Sequence, residues 1–441
     1  MSGNSRPIAN TIPVVPGQSA ERELRLQRAL IGYIVAGLFF MLLPGTFLGV
    51  WNLISISSRH ALETLSPGWL QAHGHAQIFG WIGTFVIGIG FYSLSKMGRL
   101  PAFAVSRAWA ALVLWTAGVA LRWAAGVVEW HWRVLLPVGA LLELAGFLIF
   151  FRTVSGHRPG ADRAGQKREP WMLLVMASTA GFLASLVLNA YAAFRMAWEG
   201  GQAALPHVFD QRLVALEVWC FLIPAIWGFN ARWLPVFLGL PAPNGRFLLT
   251  ALAVAWAGVF AIFAGANRVG AWLLPVAALA ALYALNVWRR PLRPPKIDGI
   301  HRSFPLFIRA AYGWLLVGSG LWLIAALADR SGGIWGAARH ALTVGYVSTM
   351  VFAIGQRVLP AFGGMRRLYS PRLMFASLAA LTIGCSLRVA SEIPAYEGYS
   401  RAAWRVLPCS AAIELLAVSL FAINLVATFL RPPAHRQNAA N

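Results

Sequence analysis

The amino-acid sequence predicts an all-α integral membrane protein, with twelve transmembrane helices arranged as three pseudo-symmetric four-helix units. Three observations carry that prediction. Of the 441 residues, 58% are hydrophobic and only 12% are charged, about half the charge of an ordinary soluble domain. Apolar runs of membrane length, ~20 residues for ~30 Å of hydrocarbon, recur to the end of the chain. Arginine and lysine gather in alternate links between those runs, which is the mark of retention on the cytoplasmic side. A soluble chain of this length would divide into about three domains. These runs make one membrane domain instead, over residues 29–430, with a polar N-terminal tail (1–28) and a short C-terminal tail (431–441).

The spans fall near 29–54, 71–95, 103–126, 133–153, 171–194, 211–236, 246–265, 270–288, 305–328, 337–361, 372–390 and 405–430. Each reads as a helix, because backbone groups cannot go unpaired in lipid and no alternating pattern of barrel strands is present. Basic residues crowd the N-terminal tail (Arg6, Arg22, Arg25, Arg28) and the link after span two (Lys96, Arg99, Arg107). They crowd the links after span four (Arg152, Arg158, Arg163, Lys167, Arg168) and span eight (Arg289, Arg290, Arg293, Lys296, Arg302). They also follow span ten (Arg366, Arg367, Arg372) and reach the C-terminal tail (Arg431, Arg436). The odd-numbered links carry fewer. Both termini are therefore expected inside, in a bacterial cytoplasmic membrane, with even-numbered spans running from outside inward. No cleavable signal pattern precedes the first span.

The formal net charge of +22 does not indicate a nucleic-acid binder, since the basic residues sit in alternate links and form no single face. The cysteines (Cys220, Cys385, Cys409) are scattered, with no CxxC, so neither a disulfide framework nor a zinc site is expected. The partner that the composition does require is the lipid bilayer. It sets no oligomeric state.

A repeat is present across the spans. Span ten contains Arg339-His340-Ala341-Leu342-Thr343-Val344-Gly345 and ends Val358-Leu359-Pro360-Ala361-Phe362; span six ends Trp233-Leu234-Pro235-Val236-Phe237. Span two has His75-Ala76 and then Gly80, placed after His75 as Gly345 is after His340. In the register of the prolines, Ala215 of span six stands where span ten has His340. Spans two, six and ten thus read as equivalents.

The histidines separate by position. His157, His301 and His435 fall in cytoplasmic segments, His60 and His131 near outer span ends, and His207 in a link. All of these are ordinary solvated positions. His73, His75 and His340 remain. A lone histidine near the headgroups usually finds a backbone partner. His75 and His340, however, lie at similar depth on spans of the same direction, and ionisable groups inside membranes are costly and usually functional. Two imidazoles facing each other could hold a haem between them, one on each axial side of the iron. Six-coordinate iron with two protein ligands suits electron transfer. His73, two residues before His75, is rotated by about 200° on a helix and points elsewhere. Copper would suit an imidazole there, though no partner ligand is evident.

The segments "HGHAQIFGWIGTFVIGIGFYSL" and "RHALTVGYVSTMVFAIGQRVLPAF" resemble helices two and ten of the haem–copper oxidase subunit I superfamily. The phrases "HGHAQIFGW" and "HALTVG" are also similar to the NnrS family, which is linked to the nitric-oxide response. The resemblance implies twelve helices in three groups of four. It also implies a low-spin haem b held by His75 and His340. The departures are specific. The helix-ten position for a second haem ligand is Ala338, the helix-six copper-ligand position is Ala215 before Glu217-Val218 and Pro224, and span seven has no histidine. The dinuclear oxygen-reducing site is therefore expected to be missing, and a conventional terminal oxidase is not the reading.

Haem propionates would need cationic partners, which arginine supplies bidentately. The candidates are Arg339, beside His340, with Arg388, Arg401 and Arg405 around the link between spans eleven and twelve. Each can also be read as an ordinary loop arginine. Glu217 reads equally as a neutral, hydrogen-bonded membrane carboxyl or as a proton-handling group; Glu129 and Glu143 are weaker candidates of the same kind. The leading expectation is a bis-histidine haem protein engaged in electron transfer or nitric-oxide-related redox chemistry, with a periplasmic cytochrome or a quinone as electron partner. The alternatives are a twelve-helix secondary transporter without haem, for which Glu217 and Pro224 are the supporting features, and a copper-binding sensor or assembly subunit.

Overall fold

The structure is a computed structural model that describes residues 16–61, 65–96, 103–155 and 169–432, with side chains omitted at 16–20 and 94–96. Arg6, Arg99, Arg158, Arg163, Lys167, Arg168, Arg436, His157 and His435 lie outside the described residues, as does the side chain of Lys96.

Twelve helices are long and apolar enough to cross a membrane. They are Glu21–Arg59, Pro67–Ser93, Ser106–Val128, Trp132–Ser155, Pro170–Glu199, His207–Phe237, Gly245–Phe263, Asn267–Leu285, Phe304–Ala328, Gly333–Phe362, Pro371–Tyr396 and Ala403–Leu430. The chain is a multi-pass membrane protein. Large apolar side chains such as Phe39, Trp51, Val113, Phe194, Phe260 and Ile423 stay exposed on the outside of the bundle, where lipid covers them.

Eleven spans match the hydropathy reading to within a few residues, and span one is longer than expected. Its polar first turns continue the helix because their charges are paired along it. Arg25 donates to Glu21 (2.5 Å) and Gln27 to Glu23 (2.9 Å), and Tyr92 of span two also donates to Glu23 (2.8 Å). At its far half the helix passes Pro44 as a π-helical stretch, Met41–Phe47. That wider turn accommodates a residue with no N–H to give.

The arrangement repeats every four spans. The most extensive helix–helix contacts join spans three and four, seven and eight, and eleven and twelve. Each of these hairpins is brought close by glycine, as membrane helices commonly are. A side chain at Gly118 would meet the backbone of Gly139, one at Gly270 the backbone of Gly258, and one at Gly384 the side chain of Glu414. Spans two, six and ten form the interior. Their apolar windows are 72%, 83% and 67% buried, against at most 50% for any other span. Each also carries a π-helical segment at the equivalent place: Ala76–Gly83, Glu217–Leu222 and Ala341–Ser348. Aromatic stacking holds spans together within the units, with Phe182 on Phe221 at 4.0 Å and Phe352 on Phe421 at 3.9 Å.

The link after span eight is tied to the end of span six. Leu292 N–H donates to the Gly239 carbonyl (2.8 Å) and Lys296 N–H to that of Phe237 (2.9 Å). Gly239 has φ +66°, and any side chain there would run into the backbone of Arg293, so this turn requires glycine.

Candidate functional site

Span two starts on a capped turn. Ser66 accepts from the Gly68 N–H (3.2 Å) and Pro67 occupies the first helical position. Regular α-helix then runs to His75, where the π-helical segment begins. In span ten the regular helix runs Gly333–His340 and the π-helical segment begins at Ala341. His75 and His340 therefore occupy the same local position, at the last α-helical residue before the wide turn. Such insertions are frequent at functional sites.

His73 and His75 point to different neighbours. His73 faces span one, with Nδ1 2.9 Å from the Gly45 carbonyl. Gly49 leaves space for the ring, since a side chain at that position would strike it. A carbonyl only accepts, so Nδ1 carries the proton and Nε2 keeps its lone pair. Nε2 has no hydrogen-bond partner among the described residues. His340 repeats this chemistry. Its Nδ1 lies 2.9 Å from the Gly336 carbonyl and its Nε2 is likewise unpartnered. Both rings are half-buried, and His340 and Arg388 stand within electrostatic reach of His73.

His75 is placed otherwise. It is buried, stacked on Phe79 at 4.6 Å, and its Nε2 is 2.8 Å from the Glu143 carboxylate of span four. Glu143 is fully buried. Arg122 of span three, also buried, lies in the field of Glu143, Glu217 and Asp210. Glu217 accepts from Asn189 Nδ2 at 3.4 Å. The arrangement joins Glu217 to the His75 group and leaves His340 in another. Arg122 Nη1, Glu143 Oε2 and Asn189 Oδ1 have no hydrogen-bond partner among the described residues. A cavity of about 20 Å³ opens beside Arg122, Gln71 and Met196, enough for one water.

Around His340 the charges belong to span eleven. Glu392 Oε2 lies 3.2 Å from His340 Nδ1 and 3.2 Å from Arg388 Nε, and Arg388 Nη2 donates to Glu392 Oε1 at 3.2 Å. Arg388 and Glu392 are both buried, and Arg388 Nε and Nη1 have no hydrogen-bond partner among the described residues. Glu414 of span twelve stands in the same field. Arg339 is half-buried and within reach of the Glu392 and Asp210 charges. Arg401 and Arg405 are exposed. Among the described residues no group of three or more His, Cys, Asp or Glu is placed to hold a metal ion. Ala215 and Ala338, the positions where the oxidase resemblance expects a ligand histidine, are fully buried.

The sequence reading gave no place to Arg122, Glu392 or Glu414, and only a weak one to Glu143. The signal was present, because each is an ionisable side chain within a span. Arg388 and Glu392 are moreover an i,i+4 pair, which meets on one helix face.

Comparison with known proteins bears on the fold. A cryo-EM structure of a haem–copper terminal oxidase dimer, one of 31 solved chains that match, superposes with a TM-score of 0.56 over 93% of this chain and 85% of that one, at 12% identity. The chain has the haem–copper oxidase fold. In sequence, a family model described as a domain of unknown function (DUF8744) matches residues 244–430, which is spans seven to twelve. No curated protein matches.

Proposed function

We propose that this chain is a b-type haem-binding membrane redox protein, in which His340 and His73 are the two axial ligands. The observation that carries the reading is the matched state of these imidazoles. Each is fixed through Nδ1 on a backbone carbonyl, 2.9 Å away in both cases, and each keeps Nε2 free. A hydrogen bond on the second nitrogen is how a protein sets the tautomer and orientation of a metal-binding histidine. His75, the span-two residue that the sequence reading paired with His340, already engages Nε2 with Glu143. In this reading it belongs to the buried charge group with Arg122 and Glu217.

The donor set suits a planar low-spin haem: two half-buried imidazoles on separate spans, and a buried guanidinium, Arg388, whose Nε and Nη1 have no hydrogen-bond partner among the described residues. Arg388 and Arg339 are the residues to pair with haem propionates, with Arg401 and Arg405 further out on the surface. A haem held by these two imidazoles would supply one-electron transfer. The protein's own part is to hold the ligands in one tautomer, neutralise the propionates and exclude water. Glu217, beside Arg122 and Asn189, is the candidate to take up or give a proton.

The reading extends to the rest of the chain. The termini lie on the cytoplasmic side of a bacterial inner membrane. The electron partner is a quinone or a soluble cytochrome, and the chemistry serves electron transfer or the nitric-oxide response, as the NnrS resemblance implies. Buried alanines at 215 and 338 weigh against a conventional terminal oxidase.

The test is the reduced-minus-oxidised absorption spectrum and haem content of purified protein. His340→Ala and His73→Ala should each lose the low-spin b-type spectrum, while His75→Ala keeps it. Loss in His75→Ala with retention in His73→Ala restores the His75–His340 pair. Retention in all three variants, or a colourless wild-type protein, overturns the reading.

A further inference from the structure

The carboxylate of Glu392 is in an unusual state. It is buried, at 4% exposure, yet its Oε2 makes no aligned hydrogen bond, although His340 Nδ1 and Arg388 Nε are each 3.2 Å away. A buried charge normally has its lone pairs filled. The surroundings are shaped to admit it. Gly336 of span ten presents only backbone to the carboxylate, and any side chain there would collide with it. The Nδ1 proton of His340 meanwhile points at the Gly336 carbonyl. Two acceptors therefore flank one N–H, the neutral one engaged and the anionic one poised.

We propose that Glu392 is the positioning residue of His340. It would accept the His340 Nδ1–H hydrogen bond in place of the Gly336 carbonyl when Nε2 holds a metal, which would strengthen the imidazole as a donor and favour the oxidised state of that metal. Arg388 keeps the carboxylate ionised and aimed, through its hydrogen bond to Oε1. This inference rests on the haem reading and adds Glu392, which that reading does not use. The physical basis is that hydrogen bonds to an anion are roughly twice as strong as those to a neutral acceptor, and that second-sphere partners of a ligating histidine raise its basicity. Glu414 provides the internal control, because it stands in the field of His340 and Arg388 but, among the described residues, forms no hydrogen bond or ion pair with the ring.

The experiment uses the full-length holoprotein in detergent. Redox titration gives the haem midpoint potential, and electron paramagnetic resonance of the oxidised form reads the imidazolate character of the ligand. E392Q should keep its haem, raise the midpoint potential and move the resonance toward that of neutral bis-imidazole haem. Glu392→Asp, which keeps the charge next to Arg388 but withdraws it from the ring, should shift both in the same direction by less. E414Q should leave the resonance unchanged. E392Q with wild-type potential and resonance overturns the inference alone, as does E414Q reproducing the E392Q resonance. If E392Q does not fold, Glu392→Asp with wild-type values does the same. Wild-type protein without haem overturns the haem reading and this inference with it.

Discussion

Replacing Glu143 by leucine should be among the most destabilising single changes in the bundle. Glu143 is fully buried, accepts from or donates to His75 Nε2 at 2.8 Å, and provides the largest opposing charge to buried Arg122. Glu143→Leu leaves a guanidinium in the interior with only Glu217 and Asp210 to balance it. Breaking one side of a buried charge pair costs about 3–5 kcal/mol. The lost bond to His75 falls within that range, since one orphaned buried group costs about 1–3 kcal/mol. The residual field of Glu217 argues for the lower end, about 3 kcal/mol. Reversible unfolding in mixed detergent micelles measures it. The decisive comparison is the double variant Arg122→Met/Glu143→Leu. Replacing both members of a buried pair by apolar residues is often neutral or better, so the double should recover most of the loss. A single variant within about 0.5 kcal/mol of wild type, or a double no more stable than the single, would refute the claim that Arg122 and Glu143 neutralise one another.

Two further outcomes follow from packing. Asn424 is fully buried and donates to Gln356 Oε1 (2.6 Å) and the Ser370 carbonyl (3.0 Å), while accepting from the Ser370 N–H (2.9 Å). Asn424→Leu orphans all three and should cost at least about 1–3 kcal/mol in the same assay, with the absorption spectrum of the folded protein unchanged. Gly181→Ala forces a methyl into the backbone of Cys220, where spans five and six make their closest approach. It should cost about 1–3 kcal/mol and lower the yield of folded protein, measured by size-exclusion chromatography.

The twelve spans were legible because bilayer thickness imposes a length on every apolar run, and the four-span repeat because Pro235 and Pro360 mark a common register. Span one was misjudged at its ends for a physical reason. Glu21, Glu23 and Arg25 look like tail, but their charges pair along the helix and with Tyr92, so the helix continues. The site was legible in residue types and less so in surroundings. Spacing alone says that His73 and His75 face apart. It does not say that His73 meets Gly45 and Gly49 of span one, or that His75 meets Glu143 of span four. Arg388 was picked out as a propionate partner from its position in the topology. The structure adds that two of its nitrogens already face Glu392, which leaves Nη1 for that role. Glu217 was visible as a lone membrane carboxyl, but its neighbours Arg122 and Asn189 come from two other spans and no local pattern announces them.

The burial of spans two, six and ten bears on how the chain enters the membrane. Spans two and ten have the lowest mean hydropathy of the twelve, 1.3 each, because their polar side chains serve the interior. As isolated segments leaving the ribosome they are the weakest candidates for partition into lipid. The tight hairpins of spans three and four and of spans eleven and twelve, with mean hydropathies of 1.6 to 2.3, emerge directly afterwards or soon after. Each central helix is thus followed by the apolar neighbours that can shelter it. Biogenesis then carries a built-in order: a chain truncated after span two should remain poorly integrated, and synthesis through span four should rescue it.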